Sequence, residues 1–127
     1  MKEVVNLTPH SVAIYPSDTP DRIEPGSVIP LRVIEPSEQY QAVRLEQRVI
    51  RDDDLHLGIP VQLVDFGSGN NGVTPLPPMV KGTYYLVPLV VGLAAFDRHD
   101  LLVCHDTVRN TEGSIMGARK LARPRRP

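Results

Sequence analysis

The sequence predicts a mainly β fold, a small single-domain barrel or curled sheet with one short helix. Three observations point there. Thirteen prolines and nine glycines cut the 127 residues into short pieces, so few windows are long enough for a helix. The pieces between them read as short strands, several with apolar and polar residues in alternation. The best helical window is residues 89–97. A chain of this length fits one domain that buries roughly two-thirds of its unfolded surface, so folding needs no metal or disulfide.

Taken in order, residues 4–7 and 11–15 read as strands, with Val12 and Ile14 on one face and Thr8-Pro9-His10 between them. Residues 16–20 are a turn-rich break. Short strands are expected at 22–24 and 31–34, around Pro25-Gly26. Residues 41–46 and 48–51 suggest further β structure, with Val43 and Leu45 inward. Asp52-Asp53-Asp54 reads as an acidic turn. Residues 61–66 alternate, Val61, Leu63 and Asp65 against Gln62, Val64 and Phe66.

The loop 67–72 is rich in residues that tolerate positive φ. It lacks the lysine and following hydroxyl residue of a Walker loop. Residues 74–78 must be extended, because a residue before proline avoids the α region. Residues 83–87 carry a strong β signal. Pro88 suits the start of the helix at 89–97, with Leu89, Val90, Leu93, Ala94 and Phe96 expected to pack. Residues 101–104 are apolar on both faces, as a central strand would be. Asn110-Thr111-Glu112-Gly113 fits a hairpin loop on a type I turn, and 114–116 returns as the partner strand.

Charge divides the chain. The net charge of −1 splits into +5 over residues 119–127 and −6 over residues 1–118. We therefore read 1–118 as the β-rich domain and 119–127 as a basic, disordered tail. The acidic body disfavours duplex nucleic acid, and the absence of tryptophan disfavours a base-stacking platform. The single cysteine, Cys104, allows no intrachain disulfide and suits a reducing compartment. The opening MKEVVNLTPH turns polar at once and lacks a signal-peptide core, and the apolar run 86–96 is too short to span a membrane. A cytoplasmic location with no membrane contact is the expectation.

Two polar constellations stand out. On the strand near the C-terminus, Asp100, Leu102, Cys104 and Asp106 share one side. Asp100 and Asp106 lie about 20 Å apart there, too far to work as an acid–base couple. Asp106 can pair with Arg109 as a salt bridge and turn cap, or both can grip a ligand with Arg98 as a second anion-binding fork. At the N-terminus, Asn6, Thr8 and His10 either line a site or satisfy backbone groups at a strand crossover. The four histidines, His10, His56, His99 and His105, show no zinc-motif spacing, so neither metal nor cofactor is expected. Cys104 in an apolar strand reads as buried and inert.

The opening NLTPH, the TPLP segment, YYLVPLVVGLAA and the closing DLLVCHDTVRNTEGSIMGARKL resemble a family of small uncharacterised proteins of bacteria, notably actinobacteria, and their phages. That family begins with NLTPH and ends with DTVR-x-x-x-G-x-I-x-G. Asn6, Thr8, Pro9, His10, Asp100, Asp106, Thr107, Arg109, Gly113 and Gly117 fit the pattern. The chain departs at His105, where the family has proline, and at Ala118, where cysteine is common. These departures speak against catalysis by His105 or a cysteine. The resemblance implies a shared pattern and no activity.

The pattern joins both polar constellations, and the expectation is that they meet in one pocket formed by Asn6, Thr8, His10, Arg98, Asp100, Asp106, Thr107 and Arg109. The first functional reading is a binding module for a small anionic, nucleotide-like ligand. A second is a structural or interaction protein that forms a homo-oligomer through its sheet edges. A third is a hydrolase-type enzyme with His10 as general base, oriented by Asp106.

Overall fold

The computed structural model describes residues 2–45, 47–66, 76–95 and 97–125. The glycine loop 67–72, Thr74-Pro75 and Phe96 lie outside the described residues. The elements are β1 (Glu3–Asn6), β2 (Val12–Ile14), β3 (Arg22–Ile23), β4 (Arg32–Ile34), β5 (Gln47–Asp52), β6 (Gln62–Phe66), β7 (Thr83–Leu86), α1 (Leu89–Ala94), β8 (Leu101–Asn110) and β9 (Ile115–Ala122).

One sheet, in the order β1-β7-β8-β9-β2-β4, carries the body of the molecule and is nearly closed into a barrel. The closing contact joins its two ends, where Asn6 of β1 bridges Pro36 just beyond β4. The expected fold class is therefore the observed one. Strand β8 is central, as its two apolar faces require. Antiparallel β9 runs along one edge. The other edge is shared, by β7 at Leu101–Leu102 and by β3 at Arg109–Asn110, both parallel to β8.

Alternation along β7 and β8 feeds two cores. Tyr85, Val87, Leu101 and Val103 pack with Leu7, Val43, Val91 and Ala95 beneath α1. Leu86, Leu102 and Cys104 face the opposite way, toward Val12, Ile34 and Leu121. A third cluster, Tyr15, Ile23 and Val108, fills the end near the β8–β9 turn.

That turn forms as its residue types dictate. Gly113 donates its N–H to Asn110 O at 3.0 Å and has φ of 90°, which a side chain would oppose. The Asn110 side-chain oxygen accepts from the N–H groups of Glu112 and Ser114. The returning strand is longer than 114–116. It runs to Ala122, so Arg119 and Lys120 belong to the sheet and the barrel continues past residue 118.

Two further expectations need correction. The segment 41–44 forms no strand; it follows an irregular path in which Val43 is buried and donates to Leu7 O at 2.9 Å. The helix also turns its other side inward. Val91, Gly92 and Ala95 are buried, while Leu89, Val90 and Leu93 are each more than half exposed. Glycine decides this: a Cβ at position 92 would stand 2.8 Å from Val103 Cγ1 and 3.0 Å from Pro124 Cγ. The backbone of α1 sits directly on β8 at that point, and no larger residue could take its place without displacement.

Strands β5 and β6 form a separate two-stranded antiparallel sheet, paired among the described residues only with each other. Among the described residues no helix is long and apolar enough to cross a membrane.

Candidate functional site

The N-terminal constellation is a buried polar knot. Asn6 ends β1 and is 1% exposed. Its amide nitrogen donates to His10 O at 2.8 Å and Ile34 O at 2.9 Å. Its amide oxygen accepts from the N–H and hydroxyl of Thr8, at 2.8 and 2.7 Å. The Thr8 hydroxyl also reaches His10 O at 3.0 Å. The side chain thus satisfies both its hydrogens and its oxygen internally, and it ties β1 to β4 where the barrel closes. His10 contributes its carbonyl to the knot, and its side chain is exposed.

The C-terminal constellation splits into two ion pairs, one just before β8 and one at its middle. At the start, Arg98 holds Asp100 through Nε at 2.9 Å and Nη2 at 2.8 Å, and Nη2 also donates to Pro77 O at 2.8 Å. The hydrogen bonds it donates to Asp100 push the Arg98 guanidinium above its ordinary value, against the effect of burial. A bidentate fork spent in this way has little left for a free anion.

Farther along, Asp106 takes φ of 56°, a left-handed conformation that aspartate tolerates better than most residues. Its partner is Arg119 of β9, with Nη2 at 2.8 Å from Asp106 Oδ1. The same nitrogen binds Asp21, and Nη1 donates to Thr19 O. Hydrogen bonding to Asp21, then to Asp106, raises the Arg119 guanidinium above its ordinary value. Arg119 therefore fastens the chain entering β3 to the stretch of β8 that lies between the β7 and β3 pairings. Arg109, expected to pair with Asp106, is exposed and donates to Gly113 O at 2.7 Å, locking the hairpin turn. Thr107 has its carbonyl 3.5 Å from Arg119 Nη2 and pairs with Ala118 across the hairpin.

The expected pocket does not assemble. Asn6 pairs with Leu86, which pairs with Leu102, so the knot lies level with the early part of β8. Arg109 is seven positions farther on, at most about 23 Å of chain, and lies where β8 pairs with β3 rather than β7. The Asp106 carboxylate is engaged by Arg119 and Lys120, and the His10 imidazole is not among its partners. Among the described residues no three histidine, cysteine, aspartate or glutamate side chains cluster as metal ligands. Cys104 is only partly buried, short of the full burial expected; what burial it has pushes the thiol up and favours the protonated form.

Beside the Asn6 knot and the Arg98 fork lies an open cleft of about 970 Å³, lined by Pro9, residues 39–44, Leu76, Pro77 and Pro88. The knot sets the position of Pro9, and the Arg98 fork holds Pro77 by its carbonyl. Tyr40 crosses Tyr85 edge to face at 6.4 Å, and the Tyr85 hydroxyl donates to Pro78 O at 3.1 Å. Tyr40 and Arg44 on the cleft wall sit in an irregular segment whose sequence carries no periodicity to single them out.

The other unassigned feature is the arm formed by β5, β6 and the connection 53–61. Val49, Ile50, Leu55, Leu57, Ile59 and Leu63 are each at least 40% exposed. Comparison with known proteins adds no assignment: no family model matches the chain, and no curated protein or solved structure is similar to it.

Proposed function

We propose that this protein is a structural, self-associating module, in which a β-barrel body carries an arm for assembly with further copies of the chain. The arm is the observation that supports this reading. An isolated two-stranded sheet is marginal in water, and three large apolar side chains on its strands and three on their connection remain exposed. The polar motif residues fit the same reading, since Asn6, Thr8, Arg98, Asp100, Asp106 and Arg109 all serve contacts within the fold. On this view the NLTPH and DTVR-x-x-x-G-x-I-x-G segments, which carry the resemblance to a bacterial and phage family, are barrel-building segments. Sedimentation velocity over a wide concentration range tests the proposal. Mass action predicts a weight-average mass that rises with concentration; a monomer throughout rejects it.

The cleft favours a second reading, in which the body binds a small anionic ligand with Arg44 and Tyr40 at the contact. A thermal-shift screen against nucleotides and sugar phosphates tests it. A ligand at 100 times its Kd stabilises by about 2.7 kcal/mol. The shift must vanish in Arg44→Ala; a flat response across the panel removes this reading.

A further inference from the structure

Two exposed patches of the chain complement each other. The first is the tip of the arm. Leu55, Leu57 and Ile59 project from the β5–β6 connection at 52, 63 and 69% exposure. Beside them, Asp52, Asp53 and Asp54 line one wall of a hollow of about 510 Å³, with Ile59, Pro60, Val61 and Gln62 forming the rest. The connection has a defined shape. Asp54 Oδ1 accepts from the His56 N–H at 2.9 Å, and both His56 and Gly58 take positive φ. The tip is therefore an apolar knuckle next to an acidic hollow.

The second patch is the outer face of α1. Leu89, Val90 and Leu93 are 57, 53 and 58% exposed. The chain after β9 runs against this helix, with Pro124 packed at Gly92. On either side of Pro124, Arg123 and Arg125 are exposed. The outer face of α1 is thus apolar, and the segment packed at Gly92 brings two exposed cations to the same helix.

We propose that the arm tip of one copy docks on the α1 face of a second copy, with Leu55, Leu57 and Ile59 against Leu89, Val90 and Leu93, and the acidic hollow receiving the arginines of the 123–125 segment. This inference rests on the self-association reading and specifies its surface. Apolar side chains of both patches leave water, and opposite charges meet at the rim, which steers the encounter and fixes orientation. The two patches are different parts of one chain, so each copy both offers a tip and accepts one. Repetition gives a ring when the rotation closes and an open chain when it does not.

The test uses sedimentation velocity on the full chain and two variants, Leu57→Asp at the tip and Val90→Asp on the helix. Both positions are more than half exposed, so folding should persist, and circular dichroism checks it. Each variant alone should self-associate roughly 100-fold more weakly, as expected for loss of a central apolar anchor. Mixed in equal amounts, they should recover a dimer, because one intact tip and one intact helix face remain. Reversing charge with Asp52→Lys/Asp54→Lys should weaken association, and adding Arg123→Glu/Arg125→Glu should restore it. A wild type that associates while both single variants associate equally well overturns this docking mode and leaves the self-association reading standing. Failure of the mixture to recover a dimer, with both variants folded and monomeric alone, also overturns it. A wild type that is monomeric at every concentration overturns both.

Discussion

Asn6 shows how one side chain can decide a fold of short strands. Its amide bonds both lips of the barrel seam, so replacing it removes hydrogen bonds from both sides and takes from Ile34 O its side-chain donor, while His10 O keeps the Thr8 hydroxyl. Asn6→Ala should cost about 3 kcal/mol, read as a fall in the urea midpoint with little change in slope. Asn6→Asp, of equal size, should be at least as damaging at neutral pH, because a carboxylate oxygen would then face those carbonyls. His10→Ala should change stability by less than about 0.5 kcal/mol, since only the His10 backbone joins the knot. Tyr85 contributes to the alkaline pH dependence. Burial, reinforced by Tyr40 and Asp100, raises its phenol above 10.0. The protonated form is thus favoured in the folded state. Its contribution is complete below pH ~10 and is lost as pH rises through the folded value. Tyr85→Phe should cost about 1 kcal/mol at pH 7, for the bond to Pro78 O, and should flatten the alkaline limb of a stability profile.

At the scale of elements, the sequence was most legible where local chemistry decides the outcome. Asn110 and Gly113 mark the hairpin because their side-chain and φ requirements act within four residues. Pro88 marks the start of α1 for the same kind of reason. The inward face of α1 was not legible, because six residues make too short a helix for periodicity to settle its orientation. There a close backbone approach at Gly92 outweighs the larger burial that Leu89, Val90 and Leu93 would have provided. Arg119 was read into the tail for a related reason. Its carbonyl partner Thr19 lies 100 positions away, and no local pattern announces such a bond. The same limit explains the misplaced partner of Asp106, for which the nearest arginine in sequence is not the nearest in space. Gly117 offers a sharp check on the β2–β9 seam. A Cβ there would stand 2.3 Å from Ala13 O and 2.9 Å from Tyr15 Cε2. Backbone cannot yield as a flexible side chain can, so Gly117→Ala should cost at least the upper end of the usual overpacking range, about 3 kcal/mol. A variant with wild-type Tm would show that β2 and β9 do not pair as described.

For the whole molecule, the three cores lie in the barrel and not in the arm, although apolar side chains stay exposed on both. The three cores draw on residues outside the β5–β6 sheet, and the seam at Asn6 closes without it. Gln47 pairs with Phe66, so the two ends of the arm lie one strand spacing apart, about 5 Å. A short glycine–serine linker can therefore replace residues 47–66. The shortened chain should still unfold in one cooperative step, because its buried contacts are intact. Its Tm should no longer depend on protein concentration, whereas that of the full chain should rise with concentration if only folded copies associate. Scanning calorimetry at two concentrations differing about tenfold makes the comparison. A shortened chain without a cooperative transition would show that the arm is part of the folding unit. A concentration-dependent Tm that survives the deletion would place the association surface on the barrel instead.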